Sequence, residues 1–178
     1  MTATPGISAR TASLVLAALS ATLSVPTQAP AADEAVLAPL RGLVGTSVAV
    51  EDIGQEATRR GLTKKQVLAD IEARLLDGGV PLLTAQELKS APGQPRLLLR
   101  VVTVPSAQLT EFACSLRLVL VQGVTLERDV RIRTNARTWE TNLAGIAKAD
   151  DLVAIIRARV RDLADAFAKD FQGANPKR

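Results

Sequence analysis

The sequence predicts an α+β fold. The expected form is a two-layer sandwich, with a mostly antiparallel sheet of four to five strands and two helices on one face, in the order β-α-β-β-β-β-α. Three observations lead to this prediction. One central stretch alternates apolar and polar residues with the period of a strand, two other stretches repeat apolar residues with the period of a helix, and several strand-like runs lie between those helices. Runs of strands with helices to one side are typical of the α+β class.

The composition limits the chemistry that the chain can perform. Its 178 residues include one Cys, no His and no Tyr. This excludes a histidine base, a Ser-His or Cys-His pair, an imidazole metal ligand and an intrachain disulfide. The net charge of +4 is too small and too evenly mixed to favour nucleic acid. We therefore expect a non-enzymatic protein without catalytic residues, metal or cofactor, and without a nucleic-acid partner.

Residues 1–31 have the pattern of a cleavable secretory signal peptide. Arg10 is their only charged residue, residues 13–25 are largely apolar, and Ala29 and Ala31 occupy the small-residue positions of a cleavage site. An apolar stretch of this length is too short to cross a bilayer. The sequence thus predicts export to the periplasm or the medium, with no transmembrane segment after cleavage. Residues 32–45 are predicted to form an irregular lead-in, and residues 46–176 a single α+β domain.

The first helix has the clearest local signal. A β-rich run over residues 46–53 predicts a strand, and the polar residues 54–61 end it. Thr63 and Gln66 then form a capping-box pattern, and Gly78 and Gly79 supply a left-handed stop. The spacing between them predicts a helix.

The remaining strands and the last helix follow from shorter patterns. Residues 80–83, 96–104, 111–128 and 134–146 are predicted strands, with a polar loop through residues 92–95 and a charged connection over residues 129–133. Gly123 is expected to mark a bulge. Asp150 is expected to cap a long amphipathic helix that ends near Gly173.

Alternation in the predicted sheet separates its two faces. Phe112, Cys114 and Leu116 fall on the side expected to lie under the helices, which turns the intervening residues away from it. With only two helices available, that second face is expected to be uncovered, or to be covered by residues 32–45 or by side chains from the loops. An uncovered apolar face indicates a partner or oligomer interface. The candidate partner-binding residues are Arg100, Val102, Arg117, Val119 and Val121.

Other candidate groups favour structural roles. Cys114 lies mid-strand on the buried side, which predicts an inert thiol. The carboxylate pairs Glu51-Asp52, Asp150-Asp151 and Asp162/Asp165 fit a strand end, a helix cap and a solvated helix face. The arginines around residues 128–137 and 157–161 are diluted by acids and predict a solvated charged edge.

Several stretches carry a resemblance to known proteins. GLTKKQVLADIEARLLDGGVPLL, APGQPRLLLRVVTV, SLRLVLVQGVTLERD and the ending VRDLADAFAKDFQGANP resemble a family of uncharacterised exported bacterial proteins, over about residues 40–176. The resemblance implies export and carries no known activity.

These observations leave function hypotheses of different classes. The first is a non-catalytic exported module that binds a protein partner, or itself, through the open sheet face. The alternative is a periplasmic carrier for lipid or another apolar small ligand, held between helices and sheet where Ala69, Ala73, Ala164 and Ala166 leave room. A hydrolase would need a deep pocket that gathers Glu51, Asp52 and a hydroxyl.

Overall fold

The structure, a computed structural model, describes residues 31–108 and 110–176. The predicted signal peptide lies outside the described residues, apart from its last residue. The elements in chain order are α1 (Ala31–Leu37) with a 3₁₀ turn (Ala38–Leu40), β1 (Ser47–Asp52), α2 (Gln55–Arg59), α3 (Lys64–Asp77), α4 (Ala85–Ser90), β2 (Arg96–Pro105), β3 (Glu111–Leu126), β4 (Asp129–Lys148) and α5 (Leu152–Ala174).

The four strands form one mixed sheet in the order β1-β2-β3-β4. β1 pairs with β2 in parallel, and the other two pairs are antiparallel. The long helices α3 and α5 pack against each other and against the same face of the sheet. This confirms the predicted α+β two-layer sandwich, with its mostly antiparallel sheet and two helices on one face.

The core between the two layers is almost entirely aliphatic. Alternate residues of β2 and β3 point into it and meet the apolar stripes of α3 and α5. Its largest fully buried side chains are Phe112, Phe167, Leu40, Leu62, Ile71, Leu75, Leu97, Leu99, Leu116, Leu118, Leu120 and Leu152. Burial of one such side chain contributes roughly 1.5–3 kcal/mol, so this many leucines can form a core with few aromatic residues.

Helix α3 begins and ends as its sequence predicts. The Thr63 hydroxyl accepts from the Gln66 backbone N–H, and the Gln66 side chain accepts from the Thr63 N–H, which completes the capping box. Gly79 has the left-handed φ of 71° expected of a helix stop. Gly78 does not, and it serves a different purpose. An ideal Cβ there would lie only 2.5 Å from the Cβ of Ala168, so Gly78 allows α3 to approach α5.

Two bidentate ion pairs join the long helices. Arg157 of α5 donates to both carboxylate oxygens of Asp70 at 2.6 and 2.9 Å, and Arg74 of α3 does the same to Asp165 at 2.8 and 2.6 Å. Each helix thus supplies the arginine of one pair and the aspartate of the other. Asp165, predicted on a solvated face, therefore has a partner on the neighbouring helix.

Several predicted elements differ from the structure. Residues 80–83 are not a strand and form only an isolated bridge between Thr46 and Leu82. Pro81 has no N–H to continue a ladder, and only its carbonyl takes part, accepting from Thr46. Residues 32–40, part of the stretch expected to be irregular, are helical, and Leu40 lies in the core. A capping box of Thr84 and Glu87 starts a short helix in the predicted polar loop.

Two further differences concern β4 and α5. The charged residues 129–133 belong to β4 and form an arm with the end of β3. The arm is largely exposed, so charged side chains are compatible with a strand there. The predicted Gly123 bulge is absent, since Gly123 pairs regularly with Asn135, and the register shifts fall at Leu120/Val121 and Thr125/Leu126 instead. Asp151, not Asp150, is the residue before α5, and its side chain caps nothing because its backbone is already helical.

Candidate functional site

Among the described residues, the sheet face opposite the helices is open, and it is organised in cross-strand rows. Pairing of β2, β3 and β4 places one residue from each strand in every row. From the β2–β3 loop inward, the rows are Val104-Ala113-Ile146, Val102-Ser115-Ala144, Arg100-Arg117-Asn142 and Leu98-Val119-Glu140. The described part of the predicted lead-in does not cover this face, because it packs on the helix side of the sheet. There the Gly42 N–H donates to the side-chain oxygen of Asn175, beside the end of α5.

One end of this face is apolar and accessible to solvent. Val102 is 42% exposed, Val104 is 56% exposed and Ile146 is 72% exposed. Ala113, Ser115 and Ala144 lie between them and are small and exposed. An apolar patch of this kind on a sheet face is typical of a surface that another molecule covers.

Two arginines of adjacent strands border the apolar end. Arg100 of β2 and Arg117 of β3 stand directly opposite each other, and both are exposed. Like charges in this relationship destabilise a sheet. Among the described residues neither forms a salt bridge. Asp52 is paired in register with Arg100, but its carboxylate accepts the backbone N–H groups of Ile53 and Gly54. The arginine pair therefore offers an unmatched site for an acidic group.

The structure brings the five predicted partner-binding residues to one face, but they are unequally accessible. Arg100, Val102 and Arg117 are exposed, and Val121 is half-buried. Val119 is only 7% exposed, between Leu98 and Glu140 in its row, so it differs from the predicted accessible residue and offers little surface to a partner. Ala144 and Ile146 of β4 face the same side and were not predicted, because β4 alternates too weakly to show its faces.

The other candidate groups have structural roles in the described chain. Cys114 is buried, and burial raises the pKa of its thiol. The Asp52 carboxylate closes the turn after β1, as described above. Arg159 pairs with Asp162 at 3.2 Å. The arginines of residues 128–137 are exposed on the β3–β4 arm, where Arg131 pairs with Asp129 at 3.0 Å. Within residues 31–108 and 110–176, no group of three or more Cys, Asp or Glu side chains is arranged to hold a metal ion.

An apolar groove of about 210 Å³ opens at the free edge of the sheet, between β4 and α5. Leu143 and Gly145 of β4 lie on one side of it, and Ile155 and Ala158 of α5 on the other. The alanines predicted to leave room for a ligand do not line it. Ala69 and Ala73 are exposed on α3, and Ala164 is fully buried. Within the described residues, no helix combines the length and the apolarity needed to span a bilayer.

Comparisons with known proteins add little to this geometry. No protein-family model matches the chain, and a search of curated proteins found no match. Among solved structures, the chain is similar to a dodecamer of a PelC variant from Paraburkholderia phytofirmans. The identity is 12% and the TM-score 0.39, over 74% of this chain and 92% of that one. A likeness this distant carries no argument about function.

Proposed function

We propose that this protein is a non-catalytic exported module that binds an acidic protein partner through its open sheet face. The observation that carries the proposal is the Arg100–Arg117 pair at the border of an exposed apolar patch. The patch would provide the buried area, and the unmatched arginines would select a carboxylate-bearing surface. Lack of His and the buried thiol support a non-catalytic role. Export depends on residues 1–31 and on the family resemblance.

Charge also bears on the choice between another protein and a second copy on this face. The arginine pair lies between the apolar rows and the Leu98-Val119 row. A copy docked face to face about a two-fold axis through that pair would bring four guanidinium groups together. Close like charges disfavour such a complex. The open face therefore suits a different protein better than itself.

Photo-crosslinking in the producing cell tests this proposal. A photoreactive amino acid in place of Val102 should give a discrete adduct with another protein, and the adduct should disappear when Arg117→Glu is added. The matched control is the same amino acid in place of Leu76, a residue of α3 that is 58% exposed, away from the open face. Absence of an adduct from both Val102 and Val104 would contradict the proposal, as would an adduct that Arg117→Glu leaves unchanged.

The second candidate function, a carrier for lipid or another apolar ligand, has one observation in its favour. The groove beside Leu143 and Ile155 is mostly apolar, yet its volume of about 210 Å³ is below the 300–1,000 Å³ or so of typical ligand pockets. Native mass spectrometry of the purified protein should detect a co-purified ligand if this function applies. Ala158→Trp, which fills the groove, should then release the ligand.

A further inference from the structure

Strand β4 forms a long free edge of the sheet. It is last in the strand order, so among the described residues no strand pairs with its outer side. Residues 139–148 pair with β3 without a register shift, and they contain no proline. Proteins usually protect an exposed edge with prolines, bulges, a short strand or charged side chains. This part of β4 has only the last of these, Glu140 and Lys148 near its two ends, and their opposite charges permit pairing with a strand that carries the complementary order.

The hydrogen-bond pattern identifies which backbone groups face outward. The Ala149 N–H donates across to the Thr110 carbonyl on the β3 side. Successive residues of an antiparallel strand alternate between their two neighbours, so residues of the other parity address the free edge. The outward-facing residues are Glu140, Asn142, Ala144, Ile146 and Lys148. Their side chains all lie on the open face.

The groove beneath this edge has a specific empty place. Gly145 faces the helix side, and apart from its two chain neighbours no heavy atom of the described residues lies within 4 Å of the position that its Cβ would occupy. Leu143 is next to it on the same side, and Ile155 and Ala158 of α5 form the opposite wall. A strand added at this edge would thus bury an apolar side chain that projects over Gly145.

We propose that the occupant of this edge is a second copy of the chain, paired antiparallel through β4 and centred on Ala144. In this register Ala144 faces Ala144 of the second copy. Glu140 of each copy faces Lys148 of the other copy, which gives two cross-strand ion pairs. Leu143 of the second copy stands across from Gly145, where the groove is open. The outward backbone groups of five residues per copy pair with each other.

Neighbouring registers lack this double match. If the pairing is centred on Asn142, Glu140 lies opposite Ala144, and Lys148 has no acidic residue opposite it. Centring on Gly145 puts Glu140 opposite Asp150, where two carboxylates repel. Because a one-residue or two-residue shift loses both charge pairs, the sequence of β4 specifies the Ala144 register.

The dimer would join two four-stranded sheets into one of eight strands. Its two-fold axis runs perpendicular to the sheet, so both helix layers lie on one side and both open faces on the other. The arginine pair of each copy would then be presented on a continuous surface. The β4 edge is separate from the open face, and pairing through it requires no partner on that face.

Cysteine crosslinking of the purified full chain tests the register. Ala144→Cys should form an interchain disulfide under mild oxidation, because directly opposed residues have Cα atoms about 5.5 Å apart, within disulfide reach. Asn142→Cys is the matched control. Asn142 is also exposed on β4, but in this register the two residues 142 of the dimer would lie four residues, or roughly 13 Å, apart along the strands. Equal crosslinking of the two variants would overturn the proposal.

Light scattering after size exclusion tests the association itself. The full chain should have the mass of a dimer, and Glu140→Lys should weaken the dimer by about tenfold or more by replacing two attractions with two repulsions. Glu140→Lys combined with Lys148→Glu should restore it. Arg117→Glu, on the open face, should leave it unchanged. A monomer at about 100 μM, or a dimer indifferent to Glu140→Lys, would overturn the proposal.

Discussion

The indole N–H of Trp139 donates to the carboxylate of Asp170 at 2.9 Å, and this bond joins the edge strand β4 to α5. The same indole packs edge to face on Phe167, with ring centroids 4.9 Å apart. Trp139 is the only tryptophan and is buried. The two contacts fix the edge strand, and thus the groove beside it, relative to the helix layer.

Trp139→Ala should lower the free energy of unfolding by about 3–5 kcal/mol, because it leaves a cavity and an unpaired carboxylate. Trp139→Phe keeps most of the packing and should cost about 1.5–3 kcal/mol through the lost hydrogen bond. Urea unfolding followed by circular dichroism measures both. Equal losses for the two variants would show that the ring packing contributes nothing, and an unchanged stability of Trp139→Phe would show that the hydrogen bond contributes nothing.

Arg117→Glu should increase stability slightly, by about 0.2–1 kcal/mol, because it replaces a like-charge pair with an opposite-charge pair facing Arg100. Urea unfolding at low ionic strength checks the value. The double variant Arg100→Glu/Arg117→Glu is the control, since it restores repulsion and should lose the gain. If Arg117→Glu gains stability and also loses the crosslinked adduct, the loss of binding is not caused by unfolding.

Gly78→Ala should destabilise the protein by about 1–3 kcal/mol, because its new Cβ would overlap Ala168 on α5. Thermal unfolding should show the loss. Adding Ala168→Gly removes the overlapping atom, so the double variant should recover part of the stability lost by Gly78→Ala. If Gly78→Ala alone were neutral, the close approach of the two helices could not be its reason.

Cys114 should react with an aromatic disulfide reagent on the order of 100-fold more slowly in the native protein than in urea, because its thiol is buried and its pKa is raised by burial. Absorbance during the reaction gives the rate. Ser115→Cys in a Cys114→Ser background is the matched control. It lies on the open face and should react at nearly the unfolded rate, unless the faces of β3 are assigned wrongly.

The capping box of α4 should make stability depend on pH. Hydrogen bonds from the Thr84 backbone and hydroxyl lower the pKa of Glu87 below its ordinary value of 4.5. A lowered folded-state pKa stabilises the fold above the ordinary value, and that contribution is lost as the pH falls through the lowered one. Glu87→Gln should therefore lose less stability than the native protein when the pH falls below about 4.5. Urea midpoints measured across this range test it, with Glu127→Gln in the exposed β3–β4 turn as the control.

Sequence reasoning succeeded where a short stretch carries its own signal. The alternation of β3 predicted the burial of Phe112, Cys114, Leu116, Leu118 and Leu120, since neighbouring side chains of a strand must face opposite sides. The capping box of α3 needs only Thr63, Gln66 and their own backbone. The same alternation placed Arg100 and Arg117 on the face away from the two long helices, but it left open whether that face is covered.

It failed where the outcome depends on a distant part of the chain. Nothing near Gly78 shows that Ala168 will lie against it, and nothing near Leu40 shows that it will enter the core. Val119 alternates like its exposed neighbours, but its position between Leu98 and Glu140 buries it. β4 has too weak an alternation to reveal that Ile146 shares the open face with Val102.

The sequence by itself determined the fold class, the helix and strand periods, and the absence of histidine chemistry, because these depend on residue types and on spacing along the chain. Only the tertiary structure decided that β4 is a free edge, that a groove opens beside Gly145, and that Arg100 meets Arg117 in register. The physical reason is that strand order and register come from packing between segments far apart in sequence, and side-chain period alone does not encode which strands become neighbours.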